Sequence, residues 1–296
     1  MKRLPFTGSG TALITPFNYD GSIDFKRLEE LIAFQIENGT DAIIVCGTTA
    51  ENATLTDEER KSLIRFCVKA VDKRIPVIAG TGSNNTQHAV ELTKYAAKEG
   101  ADAVLAVTPY YNKASKEGLT RHFFAVADCS DLPVILYNVP SRTGMNISID
   151  TYKRLAEHVN IVATKEASGD ISAIAQIADE CGGALHIYSG NDDQTVPILA
   201  LGGKGVISVL SNIMPRETHD VCGLWFEGRQ ELSLSLFLRL LEITNNLFID
   251  VNPIPVKAAL RLMGKDLGVY RLPLCEMDEE KLERLRSSMT KLGLID

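Results

Sequence analysis

The chain of 296 residues has little that would commit it to a membrane, a nucleic acid or a metal. No run approaches the ~18 consecutive apolar residues of a spanning helix. The N-terminal stretch MKRLPFTGSGTALITPF carries two basic residues, but its apolar run is short and broken by Pro, Gly and Thr, so it does not read as a signal peptide. No basic stripe or arm is present and the net charge is -7, which argues against a nucleic-acid partner. The five histidines, at 88, 122, 158, 186 and 219, form no HxxxH or HExxH pair, and no metal site is expected. Asp192-Asp193 could hold Mg²⁺, but a helix-capping loop is the simpler role. The six cysteines, Cys46, Cys67, Cys129, Cys181, Cys222 and Cys275, make no CxxC pair. That spacing fits reduced, mostly buried thiols of a cytoplasmic protein and not a disulfide framework. No GxSxG elbow exists. No GxGxxG follows the first strand, GTGSNN at 80–85 is a partial match only, and GGKG at 202–205 lacks the Ser/Thr and spacing of a phosphate loop.

What is present is a series of short apolar, β-rich runs. They are TALIT (11–15), DAIIVCG (41–47), PVIAGTG (76–82), DAVLAVTP (102–109), PVILYN (133–138), IVATKE (161–166), HIYSGND (186–192) and GVISVL (205–210). They are continuous, not alternating, as strands covered on both faces must be. Helical spacing lies between most of them. Phe25, Leu28, Leu31, Ile32 and Phe34 share a face that ends at Gly39; DEERKSLIRFCVKAV starts with acids; NTQHAVELTKYAAKEG stops at Gly100. Residues 37–49 and 98–110 are weakly alike, each a helix end, a Gly, an Asp-Ala and a strand closing on Thr. Alternating strand and helix gives an open doubly wound sheet or a closed barrel. Eight units in about 220 residues favour a (β/α)8 TIM barrel, an α/β fold. After residue 210, residues 229–248, 255–264 and 278–293 read as three helices. The expected division is a catalytic barrel, 1–226, and a small C-terminal helical extension, 227–296.

Active sites of such barrels lie at the C-terminal strand ends. Those ends carry Thr48 and Thr49, Tyr110 and Tyr111, Tyr137 and Asn138 with Arg142 beyond, Lys165 and Glu166, and Gly190 and Asn191. Lys165 stands out because it closes the run IVAT. Burial strips an ammonium of its hydration and favours the neutral amine, the form that attacks a ketone. Its plain alternative is a lysine that reaches solvent or pairs with Glu166. Tyr137 follows VIL and could carry a proton, or its hydroxyl could simply bond to backbone. Tyr111 could extend a relay to water or merely pack. Thr48 and Thr49 could be ordinary β-formers, or their hydroxyls and amides could receive a small carboxylate. Arg142 is either a solvated surface arginine or a bidentate carboxylate clamp.

At these residues a family resemblance becomes visible. GTTAE (47–51), GTGSNNT (80–86), TPYYNK (108–113), YNVPSRTG (137–144), KEASGD (165–170), YSGND (188–192), GVISV (205–209) and NPIPVK (252–257) are similar, in order, to the dihydrodipicolinate synthase family. That family belongs with the pyruvate-dependent class I aldolases that include sialic acid lyase. The resemblance spans nearly the whole chain. It implies condensation of pyruvate with L-aspartate 4-semialdehyde, the first committed step of diaminopimelate and lysine synthesis, with no cofactor or metal. It implies a Schiff base on Lys165 and a proton relay of Thr48, Tyr111 and Tyr137. By the same resemblance Thr49 holds the pyruvate carboxylate and Arg142 that of the semialdehyde, while Gly190 and Ile207 line the pocket. Tyr111 would reach into a neighbouring subunit, making a dimer the least active unit and a tetramer, a dimer of dimers, the usual assembly. SRTG after YNVP favours this synthase over sialic acid lyase and the keto-sugar-acid aldolases.

The chain departs from the family pattern in two respects. Ala50 stands where Gly is common, so the backbone there should not need a positive φ. At the positions of the family's lysine-effector pocket the chain has Asn52, Ala53, Asp57, Arg60, Asn84, His88 and Tyr110. His88 replaces an acid that would bind the effector's ammonium, and Arg60 adds positive charge, so weak or absent lysine inhibition is expected. Two competing functions remain open: an aldolase or dehydratase with the same lysine but another acceptor, for which Arg142 would matter little, and a non-catalytic keto-acid-binding barrel, which would not need a proton relay.

Overall fold

The computed structural model describes residues 2–296. Eight strands, β1 (Gly8–Ala12), β2 (Ala42–Val45), β3 (Val77–Gly80), β4 (Ala103–Val107), β5 (Val134–Asn138), β6 (Ile161–Glu166), β7 (His186–Ser189) and β8 (Gly205–Ser208), close in sequence order into a parallel barrel. The helices are α1 (Phe25–Glu37), α2 (Asp57–Val71), α3 (Thr86–Glu99), α4 (Lys116–Asp128), α5 (Pro140–Thr143), α6 (Ile149–Ala156), α7 (Ile171–Glu180), α8 (Thr195–Ala200), α9 (Pro215–Phe226), α10 (Gln230–Arg239), α11 (Leu241–Asn246), α12 (Ile254–Leu262) and α13 (Glu279–Lys291). The (β/α)8 architecture expected from the apolar runs is the one observed.

Local signals set these boundaries. Thr56 and Glu59 form a reciprocal capping box that satisfies two N-terminal amides of α2, and Gly100, at φ 90°, ends α3. Arg271 grips the Glu59 carboxylate, with Nη1 at 2.9 Å from Oε2, and holds its pKa down to about 2. A lowered carboxyl pKa contributes stability above its unfolded value, near 4.5, and that contribution disappears as pH falls toward 2. The stability gap between the native chain and Arg271→Gln should therefore narrow through that window, as thermal midpoints at stepped pH would show.

Three elements differ from the sequence expectation. The first strand lies at Gly8–Ala12, three residues before TALIT. Glycines that look like strand breakers are needed here: a Cβ on Gly205, at φ 142°, would lie 1.8 Å from the Gly8 carbonyl oxygen where β8 meets β1. Leu13, beyond the strand, still donates its N–H to Ile44. The helix α9 was hidden by its starting Pro215, polar first turn and internal Gly223. The single helix expected over 229–248 is two, α10 and α11, meeting at Leu240.

Side chains pointing into the barrel form their own core, including Ala42, Ile44, Ile78, Leu105, Ile135, Tyr137, Ala163, Tyr188 and Ile207. Phe6 stacks on Tyr188 with ring centroids 4.4 Å apart and packs close to Gly10, plugging the N-terminal end of the barrel. The C-terminal helices pack on the outside, α10 against α9, and α11 and α12 against α13. Cys46, Cys67, Cys181 and Cys222 are buried, Cys129 is half-buried and Cys275 is exposed, all as free thiols. No helix among the described residues is long and apolar enough to cross a membrane.

Candidate active site

Lys165 is the penultimate residue of β6 and is only 6% exposed. Strand alternation sends Lys165 into the barrel with Ala163, and Glu166 out toward α6, where it accepts hydrogen bonds from Tyr152 and Asn138. The pairing of Lys165 with Glu166 is thereby excluded, and among the described residues Lys165 takes part in no ion pair. Its Nζ lies 4.3 Å from the centroid of the Tyr137 ring, brought there by the β5–β6 register that sets Tyr137 opposite Lys165. Tyr137 is buried at the end of β5. Ile207, fully buried on β8, belongs to the same interior cluster as Tyr137. Gly190 follows β7, and any Cβ there would lie 2.8 Å from that of Ala167 and 2.9 Å from the Glu166 carbonyl. Only glycine lets β7 approach β6 so closely beside the lysine.

The loop after β2 forms a short 3-10 turn, Thr48–Ala50, which places the Thr48 and Thr49 amides at its opening. Thr48 and Tyr137 together line a small cavity of about 30 Å³, room for about one water molecule. Ala50 is not among the residues with left-handed backbone; its neighbours Cys46, at φ 57°, and Glu51, at φ 56°, carry that conformation instead. Thr49 is buried, and its hydroxyl accepts a hydrogen bond from Asn252 Nδ2 at 3.0 Å.

Arg142 sits in the short helix α5 and lines a larger cleft of about 450 Å³ shared with Thr48, Asn52, Val139 and Asn252. Its guanidinium approaches the Asn252 carbonyl at 3.4 Å. Asn252 thus links Thr49 and Arg142. The sequence pattern contains it within NPIPVK, but nothing local assigns it a role, because its partners lie 203 and 110 residues away.

Tyr111 is not brought into this site. It is 91% exposed, at φ 72°, on a turn pinned by Asn112 Nδ2 donating to Asn84 O at 2.9 Å and Asn84 Nδ2 donating to Tyr110 O at 3.1 Å. Asp192 caps not the helix that follows it but the start of the 3-10 turn Leu210–Asn212. It is buried, and its Oδ2 accepts the Val209 and Leu210 amides at 2.9 and 3.1 Å, tying the loops after β7 and β8 together near Lys165. Among the described residues no cluster of three or more His, Cys, Asp or Glu is arranged to hold a metal.

Sequence reasoning also missed a buried ion pair beneath the Thr48–Thr49 loop. Lys257 Nζ lies 2.6 Å from Glu51 Oε1, with both side chains fully inaccessible. Lys257 also donates to the Val269 carbonyl at 3.0 Å and faces the rings of Phe17 and Tyr270. Burial lowers its pKa and Glu51 opposes that shift.

Fold and site together define a (β/α)8 lyase with a lysine at the mouth of its sixth strand. Residues 5–292 match the dihydrodipicolinate synthetase family, and the chain belongs to it. It is 55% identical over 291 residues to the 4-hydroxy-tetrahydrodipicolinate synthase of Lachnoclostridium phytofermentans, covering 98% of this chain and 99% of that one. Among solved structures it resembles the chloride-inhibited dihydrodipicolinate synthase from Acinetobacter baumannii complexed with pyruvate (44% identity, TM-score 0.94, 98% and 99% coverage). It also resembles the Cyanidioschyzon merolae enzyme with lysine bound (43% identity, TM-score 0.95, 99% and 100% coverage).

Proposed function

We propose that this chain is a 4-hydroxy-tetrahydrodipicolinate synthase that condenses pyruvate with L-aspartate 4-semialdehyde through a Schiff base on Lys165. The observation that carries the chemistry is the burial of Lys165 inside the barrel, against the Tyr137 ring and, among the described residues, in no direct ion pair. The neutral amine attacks the ketone carbon of pyruvate, and water leaves to give the imine. The protonated imine nitrogen is an electron sink, so a methyl proton is lost and an enamine forms. The enamine carbon attacks the aldehyde. The amine of the adduct then displaces Lys165 and closes the ring, freeing the lysine. Tyr137 and Thr48, which share a water-sized cavity, are suited to pass protons. Thr49 and the adjoining amides suit the pyruvate carboxylate, with Gly190 and Ile207 shaping the pocket. Coupled turnover of pyruvate with the semialdehyde tests this reading; turnover of sialic acid or a keto-deoxy sugar acid in its place overturns it.

Arg142 is assigned the semialdehyde carboxylate because it lines the wide cleft that also borders Thr48. A charged hydrogen bond is worth roughly 1.5–3 kcal/mol, so Arg142→Ala should lower kcat/KM for the semialdehyde by about 10- to 150-fold, with far less effect on pyruvate imine formation. An unchanged kcat/KM would favour an aldolase with another acceptor.

The exposed, turn-fixed Tyr111 supports a subunit that completes its neighbour's relay, and hence an active dimer or a tetramer built from dimers. Residues 1–226 then act as the catalytic barrel and 227–296 as a helical brace, in a cytoplasmic enzyme.

Inhibition by free lysine is inferred to be weak or absent. The acid available in the cleft, Asp57, is already engaged by His88 Nε2 at 2.9 Å, and the buried Arg60 adds positive charge beside it. Initial rates across a lysine titration check this; strong inhibition at micromolar lysine would contradict it.

A further inference from the structure

No step of the proposed reaction uses the polar groups buried behind β5 and β6. Along β6 Lys165 turns inward and Glu166 outward; along β5 Tyr137 turns inward and Asn138 outward. The register pairs Tyr137 with Lys165 and Asn138 with Glu166. Asn138 Nδ2 donates to Glu166 Oε1 at 3.0 Å, bridging the two strands on the outer face at the same step where Lys165 meets Tyr137 on the inner one. Tyr152, from α6, donates to the same carboxylate oxygen, and Ser168 Oγ donates to Oε2 at 2.9 Å. Asn138 reaches further: Nδ2 donates to Asn146 Oδ1 at 2.7 Å, and Oδ1 accepts the Ile147 amide at 3.2 Å. These bonds fix the loop that follows Arg142.

The space behind the wall is not filled by packed side chains. A cavity of about 190 Å³ borders Asn138, Ser148, Tyr152, Glu166 and Ser168. On this face the outward side chains of the two strand ends meet one another and α6 through hydrogen bonds. An apolar replacement would also leave Tyr152 and Asn138 with lost partners.

We propose that Glu166, through Asn138 and Tyr152, is the positioning residue for the Lys165–Tyr137 pair. Its carboxylate touches no substrate; it sets the direction of the amine and the phenol from outside the barrel. The proposal rests on the reading of Lys165 as the imine-forming residue.

The test uses the full-length protein and the variants Glu166→Gln and Tyr152→Phe. Three quantities are measured: the rate of borohydride trapping with pyruvate, the split between kcat and KM, and the melting temperature. Misaimed groups cost catalysis more than binding, so Glu166→Gln should slow both trapping and kcat by about 10- to 100-fold while KM for pyruvate changes little. Tyr152→Phe should do the same to a smaller degree, and it carries the test alone if Glu166→Gln does not fold. Wild-type trapping and kcat in the folded variants, whatever their melting temperature, would overturn the proposal and leave Glu166 a structural group. If the unmodified protein itself traps no pyruvate, the imine reading fails; if it traps pyruvate and the variants trap it equally fast, only the positioning role fails.

Discussion

Lys165→Met should lose turnover by on the order of 10⁴-fold or more, because the covalent route disappears with the amine and no other group can supply it. Methionine fills a similar volume, so the barrel interior stays packed. Lys165 makes no ion pair among the described residues, and the nearby buried Asp192 keeps the Val209 and Leu210 amides when the lysine is removed, losing only a longer-range attraction. The variant should therefore melt close to the temperature of the native chain. That combination, catalysis lost with stability kept, separates a chemical role from a structural one. Steady-state rates and a thermal scan on the same preparation measure both. A Lys165→Met protein that turns over at even a tenth of the native rate would contradict the assignment.

Lys257→Met has the opposite signature. It strands Glu51 in the interior, where the carboxylate's remaining support is the Arg271 amide at 3.1 Å. Breaking one side of a buried pair costs about 3–5 kcal/mol, which at roughly 2–4 °C per kcal/mol is a fall in melting temperature on the order of 10 °C. Replacing both members, Lys257→Met with Glu51→Gln, should recover much of that loss, since the penalty comes from the uncompensated charge. Denaturant or thermal midpoints of the two singles and the double decide it. Additive losses would show that the pair is not the unit of stability. Glu51 sits one residue past the Thr48–Ala50 turn in a left-handed conformation, so the pair also anchors the loop proposed to hold the pyruvate carboxylate.

Features whose cause lies within a few residues were legible in the chain. Lys165, Tyr137 and Thr48 stood at the ends of apolar runs, and the rule that barrel sites form at strand C-termini was enough to gather them. The strand β6 occupies the span of IVATKE itself. The first strand was misplaced because its identity depends on close approach to β8, where glycine is an asset and not a breaker. The helix α9 went unread because Pro215 and Gly223 are local signals against helix that tertiary packing overrides. Asn252 and the Lys257–Glu51 pair could not be found from periodicity at all, since each acts on residues more than a hundred positions away. The exposure of Tyr111 was likewise invisible locally: a tyrosine after TPY reads the same whether it packs inward or projects outward.

The central claim concerns one amine, and reduction tests it without reference to turnover. The protein is incubated with pyruvate and borohydride, digested, and mapped by mass spectrometry. The account predicts a single pyruvate-derived adduct on the peptide that contains Lys165, absent without pyruvate and absent from Lys165→Met. An adduct on any other lysine, or none, would contradict it.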